Sequence, residues 1–328
     1  MKICLVLSLF TTVWAAARNV PPEGAIIVAK SGGDYDTIGQ AIMALDAGRR
    51  INQTIFIKAG VYDEQVEIPT LRGRLTILGE TSDASSYSEN VVTVTHNISA
   101  GYGDGDETAT IRNAASASRI YNINVANTHG PGYQGLALSA TGTQQGYYGC
   151  QFQGHNRTIR AQVGGTVLFA RSLVSGTTDI IFGDYARVWL DHVDIKARQV
   201  SQKEYITANC RGSSDDPSYF VISNSTVEVS QNWMRARSAF LGRPEGSYAR
   251  VVFQNTYMSD IVNAAAWSPW SSNSSNTEHV MFGEYGNTGP GSQGTRASFA
   301  TALESPIPIA DLLDDDYESW VDVGYLQI

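Results

Sequence analysis

Three short segments hold side chains whose types and spacing could do chemistry: HNRT at 155–158, GTTDIIFG at 176–183 and LGRPE at 241–245. A carboxylate such as Asp179 can attack an acyl carbon only while ionised. A neighbouring guanidinium, such as that of Arg243, keeps it ionised and fixes its orientation through a fork of donors. Taken alone, Asp179 reads equally well as a turn aspartate ending a strand. Arg157 poses the opposite problem, because its guanidinium holds its proton at neutral pH and cannot serve as an acid. His155 is adjacent, but successive residues of an extended segment point to opposite faces, and it reads as a structural histidine.

The elements that would position these groups are short β-branched and aromatic runs broken by Gly, Asn and Asp, from TIFIKAG near residue 54 to RVVFQNTYM near residue 250. Several share a frame, an apolar residue followed two places on by Asn, His or Arg and three further on by another apolar residue. It holds for Ile120/Asn122/Val125, Phe169/Arg171/Val174, Leu190/His192/Ile195, Ile222/Asn224/Val227 and Phe253/Asn255/Met258, and loosely for Tyr148/Cys150. A repeat with a minimum near 21 residues and insertions of variable length suits a parallel β-helix, in which each coil stacks on the last. The alternative, an antiparallel sandwich, fits poorly with the scarcity of hairpin signals such as Asn-Gly. YDTIGQAIMALDAG (35–48) carries Ile38, Ile42 and Leu45 on one face with Thr37 and Gln40 spaced as a capping box, which predicts one short helix closing the open end of the coil.

Composition narrows the function classes. The 328 residues are 42% hydrophobic with a formal charge of −9, enough for a large core and unsuited to nucleic acid or an anionic membrane. Met1 and Lys2 precede an apolar run and Ala15-Ala16-Ala17, the pattern of a secretory signal over residues 1–17, so a single extracellular domain over 18–328 is expected. Outside the signal only Cys150 and Cys210 remain, expected free and buried. Sequons occur at Asn52, Asn97, Asn156, Asn224 and Asn273. Asn273 is the most credible glycan site, and Asn224 is expected as a buried ladder residue.

With GVYDE (60–64), QGLALSA (134–140), YYGCQFQG (147–154), GTTDIIFG and LGRP in view, the chain resembles the pectin methylesterases, closest to the fungal members. The likeness runs from AIIVAKSGGDYDTI (25–38) to WVDVGYL (320–326). It implies an all-β, right-handed parallel β-helix and hydrolysis of galacturonate methyl esters in pectin. Asp179 would be the nucleophile, Arg243 its clamp and Gln134 an oxyanion group; Trp267 and Trp270 match groove aromatics that could stack on sugar or sit in the core. No metal and no cofactor are expected. Homogalacturonan is the expected partner, and the chain is expected to act as a monomer.

Three departures qualify the resemblance. The family reads G-Y-Q-D-T-L where this chain reads G-H-N-R-T-I, so Asn156 stands at the oxyanion glutamine and Arg157 at the general acid. The tract from there to Asp179 is one residue longer, with Gly164-Gly165 as the expected site of the extra residue and a shift of the strand as its possible consequence. Glu245 replaces a tryptophan. With the acid gone, Arg157 is expected to pair with Asp179, and the two arginines to favour free carboxylates. The expectation is a weakened pectinesterase, the alternative a galacturonan-binding protein without catalysis. Lyase and polygalacturonase chemistry lacks the aspartate clusters it requires, and Tyr62 and Glu64 read as structural.

Overall fold

The computed structural model describes residues 16–99, 105–162, 164–198, 203–230 and 236–327. The expected signal lies almost wholly outside them. Among the described residues the strands form three parallel sheets of eleven, seven and eight strands, joined coil after coil into a right-handed parallel β-helix. One coil runs from Gln145–Tyr148 through a tight corner to Gln151–Gln153, then through a longer turn to Ile159–Gln162.

The sequence frame has a direct structural meaning. Its first residues stack in register inside the coil as Ile55, Ile77, Ile120, Tyr147, Phe169, Leu190, Ile222 and Phe253. Its last form a second column, Val125, Phe152, Val174, Ile195, Val227 and Met258. Every one of these is buried. The polar residue between them is the corner: Asn122, Arg171, His192, Asn224 and Asn255 all take φ between 47° and 53°, where Asn is tolerated best among side-chain-bearing residues. In the loosely matching segment the ladder residue is Tyr147 rather than Tyr148, and Gly149 (φ 57°) makes the corner. Asn224, expected to be buried, is therefore an exposed corner residue whose amide donates to Asp191 Oδ1 at 3.1 Å.

Outward-facing Tyr121, Tyr148, Leu168, Trp189, Val221 and Val252 are also buried, because the C-terminal segment lays Leu312, Leu313, Trp320 and Val321 across the outside of the eleven-stranded sheet. At the other end, helix Ile38–Met43 buries Ile38, Ala41 and Ile42 against the first coils. Thr37 accepts from the Gln40 amide, but the reciprocal partner is not Gln40: the Glu64 carboxylate takes the Ile38 and Gly39 amides at 2.9 and 2.8 Å. Glu64 is thus a cap, favourable at the positive end of a helix. Tyr62 is fully buried beneath it, donating to Lys58 O at 3.0 Å.

Candidate active site

The candidate chemistry lies at the turn entering the seven-stranded sheet. Gln134, Asn156 and Thr178 form successive parallel bridges on three neighbouring coils, and the residue after each of the last two, Arg157 and Asp179, adopts a left-handed conformation (φ 60° and 51°). Such a conformation is costly for residues with a Cβ and, where it recurs in register, re-aims side chains in concert. Arg157 and Asp179 therefore emerge one above the other on strands about 4.8 Å apart.

The extra residue does not disturb this. Positions 151–153 pair with 173–175, Asn156 bridges Thr178 and 159–162 pair with 181–184, all with a single offset. The offset changes only beyond the next turn, where 166–170 pair with 187–191. The change falls beside Gly164, at φ 69°, and residue 157 keeps its face.

Arg243 reaches Asp179 from two strands away. It lies on Ala239–Pro244, paired in register with Ala208, which is itself opposite Phe182. The small Ala208 leaves room for the guanidinium to lie back over the sheet and donate Nε–H to Asp179 Oδ1 at 2.9 Å and Nη2–H to Oδ2 at 2.7 Å. The rings of Tyr205 and Trp270 flank it at 4.1 and 4.2 Å. Asp179 is 3% exposed, so an unpaired charge there would be strongly disfavoured, and the two-point pairing compensates and orients the carboxylate.

Arg157 pairs with Asp179 as expected, but that is not its main partner. Its Nε stands 3.8 Å from Asp179 Oδ2, an ion-pair distance, but its hydrogen bonds go to Glu245, from Nη2 to Oε1 at 3.0 Å and to Oε2 at 3.1 Å. The face of its guanidinium rests on Phe182 at 4.3 Å. Glu245 was missed as a site residue. Its signal was present in LGRPE, where a carboxylate follows Arg243 by two positions, just past the end of the strand. Cys210 adds a thiol donor, Sγ to Glu245 Oε2 at 3.1 Å, and Asn276 donates to the carbonyls of Pro244 and Glu245, fixing the turn. Burial, reinforced by Glu245, pushes the Cys210 thiol up, and burial raises Cys150 to about 12, so both stay protonated. Both are free, Cys150 buried and Cys210 only half-buried.

The cluster thus holds two guanidiniums and two carboxylates. The expected attraction of two uncompensated arginines for free carboxylates loses its basis, because each arginine is already neutralised.

The remaining candidates divide. Gln134 is half-buried, its Oε1 lying so close to Gly105 that a Cβ there would meet it at 2.4 Å. His155 has its proton affinity lowered by burial and then by Arg198, with Glu204 opposing. Trp267 is corrected as a sugar platform: it is 1% exposed, stacks on Phe282 at 4.3 Å and donates to Glu284 Oε1 at 3.3 Å, all within the core. Trp270 is half-buried beside Arg243.

A comparison with known families now decides the affiliation: the pectinesterase model matches residues 25–302. The chain belongs to the pectinesterase family. It is 50% identical over 331 residues to a pectinesterase of Aspergillus aculeatus, covering 99% of both chains, and 48% identical to one of Aspergillus niger, covering 96% of both. Among solved structures it is similar to the pectin methylesterase from Aspergillus niger in deglycosylated form, with a TM-score of 0.87 and 34% identity over 94% of this chain and all of that one. The carrot pectin methylesterase shares the fold, with a TM-score of 0.84 at 24% identity.

Proposed function

We propose that this pectinesterase-family protein is a secreted esterase that hydrolyses methyl esters of galacturonate in pectin, at a rate reduced by the loss of the family's acid. The observation that carries the reading is the two-point clamp of Arg243 on the nearly buried Asp179 carboxylate. An Asp179 oxygen attacks the ester carbonyl, the carbon–methoxyl bond breaks, and the methoxyl oxygen takes a proton from water to leave as methanol. Water then hydrolyses the acyl–Asp179 ester, releasing the polymer carboxylate and regenerating Asp179. Gln134 and Asn156, on adjacent coils beside the nucleophile, are assigned to the oxyanion. Trp270, rather than Trp267, is the aromatic placed to meet a sugar ring.

Arg157 at the acid's position removes a contribution that is typically worth 10²–10⁴ in rate. The test is methanol release from highly methylated pectin, with Asp179→Asn as the blank. Release above the blank is expected; its absence, with binding of the polymer retained, would leave galacturonan binding without hydrolysis. Sequencing the amino terminus of secreted protein tests cleavage after about Ala17.

A further inference from the structure

Asp179 is presented from an irregular stretch of backbone, and the strand pairing shows where that stretch is anchored. Thr178 stands opposite Tyr205 and Ile181 opposite Thr207, so Asp179 and Ile180 together face the single residue Ile206. This is a β-bulge with Asp179 at φ 51°, a device that re-aims a side chain and that must be held by its surroundings. We propose that Glu204 is a positioning residue for the nucleophile, holding this bulge through Thr178; the role rests on the esterase reading above.

The Thr178 hydroxyl donates to Glu204 Oε2 at 3.1 Å, across the pair of strands where the register slips. Toward the preceding coil the main chain is regular, the carbonyls of Thr178 and Ile180 accepting the amides of Arg157 and Thr158, each at 3.0 Å. Glu204 is fully buried, and a carboxyl group is costly to bury without hydrogen bonds, so its contact with Thr178 is strongly enforced. Its place in the ladder also couples the nucleophile to its clamp. Glu204 opens the strand Glu204–Asn209 and pairs with Ala239, the first residue of the strand that carries Arg243. Tyr205, the next residue, backs the Arg243 guanidinium with its ring at 4.1 Å. The two halves of the Asp179–Arg243 fork are thus supported by the first two residues of one strand, Glu204 at the turn that presents Asp179 and Tyr205 beneath Arg243. Being buried, Glu204 acts through Thr178 and not on the substrate.

The experiment uses the full chain and compares Thr178→Val, which deletes the donor, Glu204→Met, which deletes the acceptor, the double variant, and Thr178→Ser, which keeps the hydroxyl. Expected for methanol release from methylated pectin is a fall in kcat of about 10- to 10²-fold in Thr178→Val and Glu204→Met, with KM within about twofold of wild type. The double variant should be no slower than the worse single one, and Thr178→Ser should stay within about twofold of wild type. A readout independent of turnover is the Arg243 Nε–H resonance in protein carrying isotopically labelled arginine, assigned by its loss in Arg243→Lys. Its exchange with solvent should quicken at least about tenfold in Thr178→Val and remain within about twofold of wild type in Thr178→Ser. Folded Thr178→Val with wild-type kcat and wild-type exchange overturns the role of Glu204 and leaves the esterase reading intact, as do losses that simply multiply in the double variant. No wild-type release above the Asp179→Asn blank, with exchange responding as expected, overturns the esterase reading and upholds the positioning of Asp179. Should Glu204→Met melt below the assay temperature, Thr178→Val against Thr178→Ser decides by both readouts.

Discussion

Building a carboxyl group at residue 157 is the most direct test of the proposed exchange of an acid for Arg157. Arg157→Asp alone is expected to fail, for a reason visible in the geometry. It would remove both hydrogen bonds from Glu245, set a new carboxylate one strand from Asp179, and leave three carboxyl groups around the single cation Arg243. Stripping one partner from a buried pair costs about 3–5 kcal/mol. The 16% and 28% exposure of Arg157 and Glu245 brings that toward the low end, still enough to distort the clamp. The informative variant is therefore Arg157→Asp with Asn156→Gln and Glu245→Trp, which removes the orphaned carboxylate together with its partner.

In that triple variant residue 157 stands about 4.8 Å from the nucleophile's strand, in register, so two adjacent carboxyl groups split their titrations and one retains a proton. General acid catalysis of 10²–10⁴ corresponds to about 3–5 kcal/mol of barrier. Wild type holds Arg157, which keeps its proton, at that position, so methanol release should rise at least about tenfold over wild type, or about 1.4 kcal/mol. The assay is methanol release from highly methylated pectin, with a cooperative melt to show that each variant is folded. Rates no higher than the Asp179→Asn blank in a folded triple variant would refute the claim that this is an esterase site lacking one group.

With both arginines neutralised and a net charge of −9, fully de-esterified galacturonan should bind more weakly than methylated pectin, and its affinity should rise with added salt; calorimetry at two ionic strengths checks the sign. Trp267→Ala should cost about 3–5 kcal/mol in urea unfolding, because it opens a cavity against Phe282 and Phe253, whereas Trp270→Ala should cost less than about 1.5 kcal/mol and act on catalysis through Arg243. His155 binds its proton less readily in the folded state, so the unfolded chain takes the proton first as pH falls. Its contribution is present above about pH 6.5 and is lost on acidification below that, and His155→Gln should flatten this part of the stability profile measured by urea midpoints at pH 7 and pH 5.

The coil was legible in the sequence because its period is enforced by packing: each buried residue must sit on the one a coil earlier, so Ile120, Phe169, Leu190, Ile222 and Phe253 recur with the same corner residue behind them. What the pattern hid was conformation. The recurring Asn, His and Arg mark left-handed corners, whose side chains can lie exposed, and reading them as an interior ladder misplaced Asn224. Asp179 and Arg243 were legible for a similar reason, since an almost buried carboxylate requires a cation and the motif preserves both. Glu245 was not, because its meaning depends on a residue 88 positions away. Taken alone, its exchange reads as a lost aromatic platform and that of Arg157 as a lost acid; brought together by the coil they form an ion pair, and neither substitution can be interpreted without the other. The same coupling explains why Trp267 and Trp270, three residues apart in one segment, separate so completely. One turns inward to stack on Phe282 and the other outward to cover the guanidinium that holds the nucleophile, a division set by the turn between them rather than by residue type.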